Sequence, residues 1–211
     1  KFYRQDIQGV CDSLEFNSID SIIRLYKNPA LWHDKNQFTA DSIQLIISNG
    51  SLNKADLLSN AFVISREDSI HFNQIKGADI VAYFNEGKLT RFDAYGGVNI
   101  LFFFEEDSII TTMNAKKCRL MTATINDGKL ERIRYFENID SDAYPVIDLE
   151  RSKMMLSGFR LRDEERPKKR SDIFNRRTKH SRIEEIKNII TPTFRFTQTF
   201  FQKVPESKVI L

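Results

Sequence analysis

The side chains able to act as bases, nucleophiles or metal ligands near neutral pH are few and scattered. They are three histidines, His33, His71 and His180, and two cysteines, Cys11 and Cys118. A catalytic histidine needs an orienting partner and a nucleophile within reach. His33 sits between the only tryptophan and Asp34, His71 lies in the strand-like Ile70-His71-Phe72, and His180 falls in a basic stretch. Nothing in the sequence pairs any of them with such partners, so all three read as surface or turn histidines. Lys116, Lys117 and Arg119 surround Cys118, and cations of this kind can activate a thiol. Solvated charge beside a strand is the simpler reading. Asp-Ser dipeptides at Asp12, Asp20, Asp41, Asp68, Asp107 and Asp140 read as turn formers that bond the backbone rather than as metal ligands. There is no Gly-rich phosphate loop, His-Glu-x-x-His, Gly-x-Ser-x-Gly or Cys-x-x-Cys pattern. The expectation is a non-enzyme with no catalytic residue, no metal and no cofactor.

Two other residue types stand out. Seventeen phenylalanines accompany one Trp and six Tyr in a chain of 211 residues with only 8 Gly and 5 Pro. Such composition excludes collagen, linkers and low-complexity chains, and points to strands with a large apolar face. Lys plus Arg is 32 against 29 Asp plus Glu, a formal charge of +3. That balance argues against a general nucleic-acid binder. The positive charge is local. Residues 160–187 hold eleven Lys or Arg and six Asp or Glu. This stretch is either a solvated connection with internal ion pairs or a surface for anions such as lipid phosphates.

The elements that must position these residues recur. Hairpin signals stand at Asn49-Gly50, Glu86-Gly87 and Asp127-Gly128, 37 and 41 residues apart. NEGKLTRFDAYG at 85–96 matches NDGKLERIRYFE at 126–137, and a degenerate copy ends near Asn17-Ser18. Period-two alternation puts Leu14 and Phe16, then Ile43, Leu45 and Ile47, then Ile80, Ala82 and Phe84, then Met121, Ala123 and Ile125 on one face. Phe62, Phe72 and the apolar run from Val98 to Phe104 fall on strands between the hairpins. The fold predicted is all-β and repeat-built, a solenoid of stacked antiparallel units over 9–140. Cys11 and Cys118 then lie three repeats apart, at least about 14 Å, too far for a disulfide. No apolar run approaches the roughly 20 residues of a membrane-spanning helix.

Beyond residue 140 the pattern changes. Pro145 and Gly158 bracket a candidate helix, the charged segment through 174 closes the domain, and 175–211 form a tail. Ser181 and Glu184 make a capping box for a short helix over 182–190. Phe194, Phe196 and Phe200 alternate in an extended or partner-docking end.

The repeated A-D-S-I and A-D-I-V units, the hairpins with G-K-L, and the closing G-F-R-L-R-D-E-E-R-P-x-x-x-x-D-I-F together resemble the OstA-like (organic solvent tolerance A-like) domain. That domain is shared by the periplasmic bridge and the outer-membrane assembly partner of lipopolysaccharide transport in Gram-negative bacteria. The similarity covers roughly residues 9–174, and relatives often carry Trp where this chain has Leu161. The resemblance implies a twisted, V-shaped β-jellyroll with an apolar interior, a periplasmic location, and carriage of lipopolysaccharide or a lipid A-like glycolipid. It also implies edge-strand pairing with other OstA-like domains and end-to-end association of like copies. A start at Lys1 fits a mature fragment whose export signal has been removed. The lipid-groove residues expected are Leu45, Ile47, Phe62, Phe72, Ile80, Phe84, Phe102, Phe104, Met121 and Ile125. Arg160, Arg162 and Arg166 are the headgroup candidates. The alternative is a structural or protein-interaction β-solenoid with a closed core and no lipid groove, docking envelope partners by its edges.

Overall fold

A computed structural model describes residues 1–17 and 19–175. The predicted helix over 182–190, the Phe-rich end and His180 lie outside the described residues. Residues Lys1–Phe174 form one compact unit.

Alternating apolar residues and tight turns give fifteen strands among the described residues. They are β1 (Phe2–Tyr3), β2 (Ile7–Val10), β3 (Ser13–Asn17), β4 (Ile22–Tyr26), β5 (Ala30–His33), β6 (Asn36–Thr39) and β7 (Ser42–Ser48). Then come β8 (Ser51–Leu58), β9 (Ala61–Arg66), β10 (Phe72–Gly77) and β11 (Asp79–Asn85). The long β12 (Lys88–Glu106) and β13 (Ile109–Asn126) precede β14 (Lys129–Phe136) and β15 (Asp140–Pro145). All pair antiparallel in one curled sheet of jellyroll type, as the sequence predicts.

The chain lays a hairpin in one wall of the fold, turns a corner, and lays the next in the other. The first wall runs β3-β4-β7-β8-β11, then the N-terminal half of β12, the C-terminal half of β13, and β14. The second runs β1-β2-β5-β6-β9-β10, then the remaining halves of β12 and β13, and β15. Corners carry residue pairs in the left-handed region: Lys27-Asn28, Ser59-Asn60, Gly96-Gly97 and Glu137-Asn138. Gly96 is fixed by contact as well as by its φ of +76°, since a Cβ there would lie 2.5 Å from that of Ala78. The same conformation forms the first-wall tips at Asn49-Gly50, Glu86-Gly87 and Asp127-Gly128, where positive φ matches the twist of the strands.

The repeat is visible in the register. Two residues before each tip turn the ladder slips, at Ile46/Ile47, Tyr83/Phe84 and Thr124/Ile125. The slip pairs Ile47 with Leu52, Phe84 with Leu89 and Ile125 with Leu130. Three rungs therefore place chemically equivalent pairs at one height.

Both walls point one face inward onto a shared apolar core that includes Leu31, Phe38, Ile43, Leu57, Ile80 and Met121. The outer face of the second wall is also covered. Residues 146–167 run across it as a strap with short 3-10 turns at Val146–Asp148, Arg151–Met154 and Asp163–Glu165. No α-helix forms between Pro145 and Gly158, contrary to the sequence expectation. Val146, Leu149, Met154 and Leu156 instead pack flat against Leu101, Phe103 and Met113. The strap also uses its peptide groups for bonds to the sheet, and a helix would consume those groups internally. Gln74 donates to the Met154 carbonyl (2.8 Å) and accepts from the Leu156 N–H (2.8 Å). Gln37 repeats the pattern with the Arg160 carbonyl (2.9 Å) and the Arg162 N–H (2.7 Å). Gln8 accepts from the Arg166 Nε (2.8 Å).

Candidate functional site

The interior of the fold changes along its length because the tips of the two walls meet at one end and not at the other. At the first rung the Arg4 guanidinium donates to the Gly50 carbonyl (3.0 Å). Asp6 orients it through a paired contact of 2.7 and 2.5 Å. Hydrogen bonds from Arg4 hold the Asp6 carboxyl below its ordinary value. At the second rung His33 Nε2 donates to the Gly87 carbonyl at 2.7 Å, with its ring edge against Phe84 at 5.2 Å. Asp34 lies 3.3 Å from the other ring nitrogen.

At the third rung the walls part. Ladder pairing from His33 to Asn36 and from Asn36 to Ser65 puts a serine where the previous hairpin has its histidine. That side chain is too short to span the interior. Glu67, nearer the lip, is an acceptor like the Gly128 carbonyl opposite, and is held by Lys35 (3.0 Å) and Asn73 (2.8 Å). The result is a cleft of about 590 Å³ between β9, β10 and β12 on one side and the Asp127-Gly128 hairpin on the other. Val63, Ile75, Phe92, Phe102 and Ile125 line its floor and sides. That volume lies in the range of sites that bury a small apolar ligand.

The expected groove residues divide into four groups. Leu45, Ile80 and Met121 are buried in the sealed interior, and Phe84 closes it beneath His33. Ile47 packs half-buried against the same core. Phe102 and Ile125 line the cleft. The remaining three are corrected by the structure. Phe62 and Phe72 face the other way and are buried under Leu156 and Phe159 of the strap. Phe104 shares the parity of Phe102 but lies at the end of β12, 48% exposed and outside the cleft lining. Leu14 and Phe16, on the edge strand β3, are likewise exposed, Phe16 at 60%.

The headgroup candidates Arg160 and Arg162 sit on the outside of the second wall, whereas Arg166 reaches the backbone of Asp34 at the cleft lip. Arg162 is 4% exposed. It grips Glu165 with two bonds of 2.8 and 2.7 Å and donates to the Asn28 and Pro29 carbonyls at the corner. Arg166 bonds Gln8 and the Asp34 carbonyl. Arg162 is a buried structural tie and is not available to a phosphate, whereas Arg166 is half-buried and lines a recess with Lys168. Arg160 remains largely exposed on the strap, 3.9 Å from Glu165.

His33 and His71 are buried rather than on the surface. His71 Nδ1 pairs with Asp68 at 2.6 Å, and Asp68 also accepts from the Ile70 and His71 backbone N–H groups. The pair is a clamp on the β9–β10 turn. Both cysteines are free thiols, and burial pushes each of them up, which opposes nucleophilic use. Sequence reasoning missed Val63, Ile75, Leu89 and Phe92. The G-K-L motif pointed to Leu89, and alternation gave both faces of β9 and β10 without saying which was interior.

No family model matches the sequence, and no curated protein matches it at the level of sequence. A solved structure does. The crystal structure of LptH from Pseudomonas aeruginosa superposes with a TM-score of 0.50 at 11% identity over 65% of this chain and 94% of that one. The fold is LptH-like. LptH is described as the LptA-homologous periplasmic component of the conserved lipopolysaccharide transport device.

Proposed function

We propose that the protein is a non-enzymatic lipid carrier of the periplasm, holding the acyl part of its cargo in the third-rung cleft. The observation that carries this reading is a cleft of about 590 Å³ whose floor and sides are the apolar side chains Val63, Ile75, Phe92, Phe102 and Ile125. Each buried methylene of an acyl chain contributes about 0.8 kcal/mol, so such a cleft holds lipid without any reactive group. The likeness to a lipopolysaccharide-transport component supports the same role, and lipopolysaccharide or a lipid A-like glycolipid is the cargo that the sequence resemblance implies. Photocrosslinking from positions 92 and 102, compared with positions 62 and 72 under the strap, tests it. Lipid adducts confined to 92 and 102 are expected. Adducts at neither pair, in protein extracted gently from a Gram-negative envelope, would refute it.

A second reading is an interaction module without lipid. It is favoured by the exposed edge strand β3 at one end and by β14 and β15 at the other. Unpaired strand edges template the addition of further strands, and end-to-end pairing with like domains uses the same edges. Protein crosslinks from β3 or β14 without lipid at the cleft would favour it.

A further inference from the structure

The bar at the second rung stands at the back of the cleft. Asp34, Lys35 and Asn36, which follow His33, line the cleft from the second wall. Lys88 and Leu89, which follow Gly87, line it from the first. The His33–Gly87 bond of 2.7 Å therefore joins the two walls immediately behind the cleft lining. The Phe84 ring lies against His33, 5.2 Å between ring centres. Its ladder partner Leu89 lines the cleft, whereas Phe84, only 4% exposed, does not. The apolar space ends between those two side chains. Behind Phe84 the interior is filled by buried Leu45, Leu52 and Ile80, and Arg4 adds a second bar at the Gly50 carbonyl (3.0 Å).

From this we infer that His33, with Phe84 under it, is the end stop of the acyl site and sets the length of chain that the cleft accepts. The inference rests on the proposed acyl-binding role and deepens it. An acyl chain enters and leaves at the third rung and does not pass through the domain. A chain that reaches the stop has buried all the methylenes this wall allows. Further methylenes stay in water and contribute nothing to binding. To pass the stop, a chain would have to break the bond to Gly87 and push a buried ring into packed core. A serine at position 33 would copy Ser65, the residue in the equivalent place at the open third rung.

The test keeps the head constant and changes the tail. Lysophospholipids with one headgroup and saturated tails of increasing length are titrated against the full chain. Affinity should rise about fourfold for each added methylene and level off once the tail end meets the stop. In H33S the rise should continue to longer tails, while the shortest tails bind as they do to the unaltered protein. A break at the same tail length in both proteins would overturn the inference and leave acyl binding intact. A second measurement needs no variant. A lysophospholipid whose tail reaches the plateau and ends in a diazirine is photolysed on the unaltered protein, and its adducts are mapped by mass spectrometry. Adducts at Leu89 and Phe84 are expected. Adducts at Ile47 or Leu52, or at none of these four, would place the tail end elsewhere and overturn the inference. Binding of no tail at any length would overturn both the end stop and the acyl-binding role.

Discussion

Leu52 and Leu130 occupy the same place in two copies of one repeat, each two residues after a tip glycine and each paired across a register slip. Leu52 is 2% exposed and Leu130 45%. The local sequences Gly50-Ser51-Leu52 and Gly128-Lys129-Leu130 do not account for this. What differs is the opposite wall. Arg4 reaches the first tip and His33 the second, each donating to a glycine carbonyl, whereas the third tip faces a serine and a carboxylate. In a fold of near-identical rungs, the position of a cavity is therefore set by which rung lacks a donor long enough to close it.

The largest effect should come from truncating the paired leucines. Leu52→Ala leaves a cavity in sealed core and should cost about 2–5 kcal/mol in urea unfolding. Leu130→Ala should stay within about 0.5 kcal/mol and instead weaken binding of an acyl probe. Equal costs at the two sites would end the distinction between sealed and open rungs. Next comes the latch. His33→Ala removes the bond to the Gly87 carbonyl and should cost about 0.5–1.5 kcal/mol. Amide hydrogen exchange should rise at Lys88 and Leu89 and stay unchanged at the corners.

The two ends should also respond to opposite extremes of pH. Tyr135, on β14 at the open end, has its phenol pushed up to about 12 by burial. A folded pKa above the ordinary value of about 10 means that the stability from keeping this phenol neutral is complete below pH 10. It is lost as pH rises from about 10 to about 12. In a spectroscopic titration one of the six tyrosines should ionise last, and Tyr135→Phe should remove that step. Asp6, at the sealed end, is shifted the other way by Arg4. Its contribution is present above the ordinary carboxylate value of about 4 and is lost as pH falls through its depressed folded pKa. Acid should loosen the Gly50 tip first, by the smallest of these effects, and Asp6→Asn should blunt that acid sensitivity.

Much of the fold could be read from the residues because it is written locally. Asn-Gly and Asp-Gly pairs state where a chain reverses, and period-two alternation states that a strand has two faces. Alternation does not state which face is the interior when both are covered. Phe62 and Val63 are both buried, and the strap that covers Phe62 arrives nearly a hundred residues later in the chain. The arginines misled for a related reason. Arg162 in a charged stretch looks free for an anion, and only the folded corner supplies the Asn28 and Pro29 carbonyls that claim it. The cleft lay beyond local reading for a third reason. It comes from a mismatch between two tips far apart in sequence, one at Ser65 and Glu67 and the other at Gly128.

The strap has a consequence for how the domain comes apart. Rungs of a stacked array touch only their neighbours, so such an array can fray from either end. Here a single extended segment bonds β10 through Gln74, β6 through Gln37 and β2 through Gln8 in succession. It works as a splint laid across the rungs. The last link joins residues 158 apart in the chain, so the splint cannot set until nearly the whole domain has been synthesised. Closure over such a separation slows folding. Once made, it couples the rungs into one cooperative unit, so the sealed and open ends should melt together although only one of them is tightly packed.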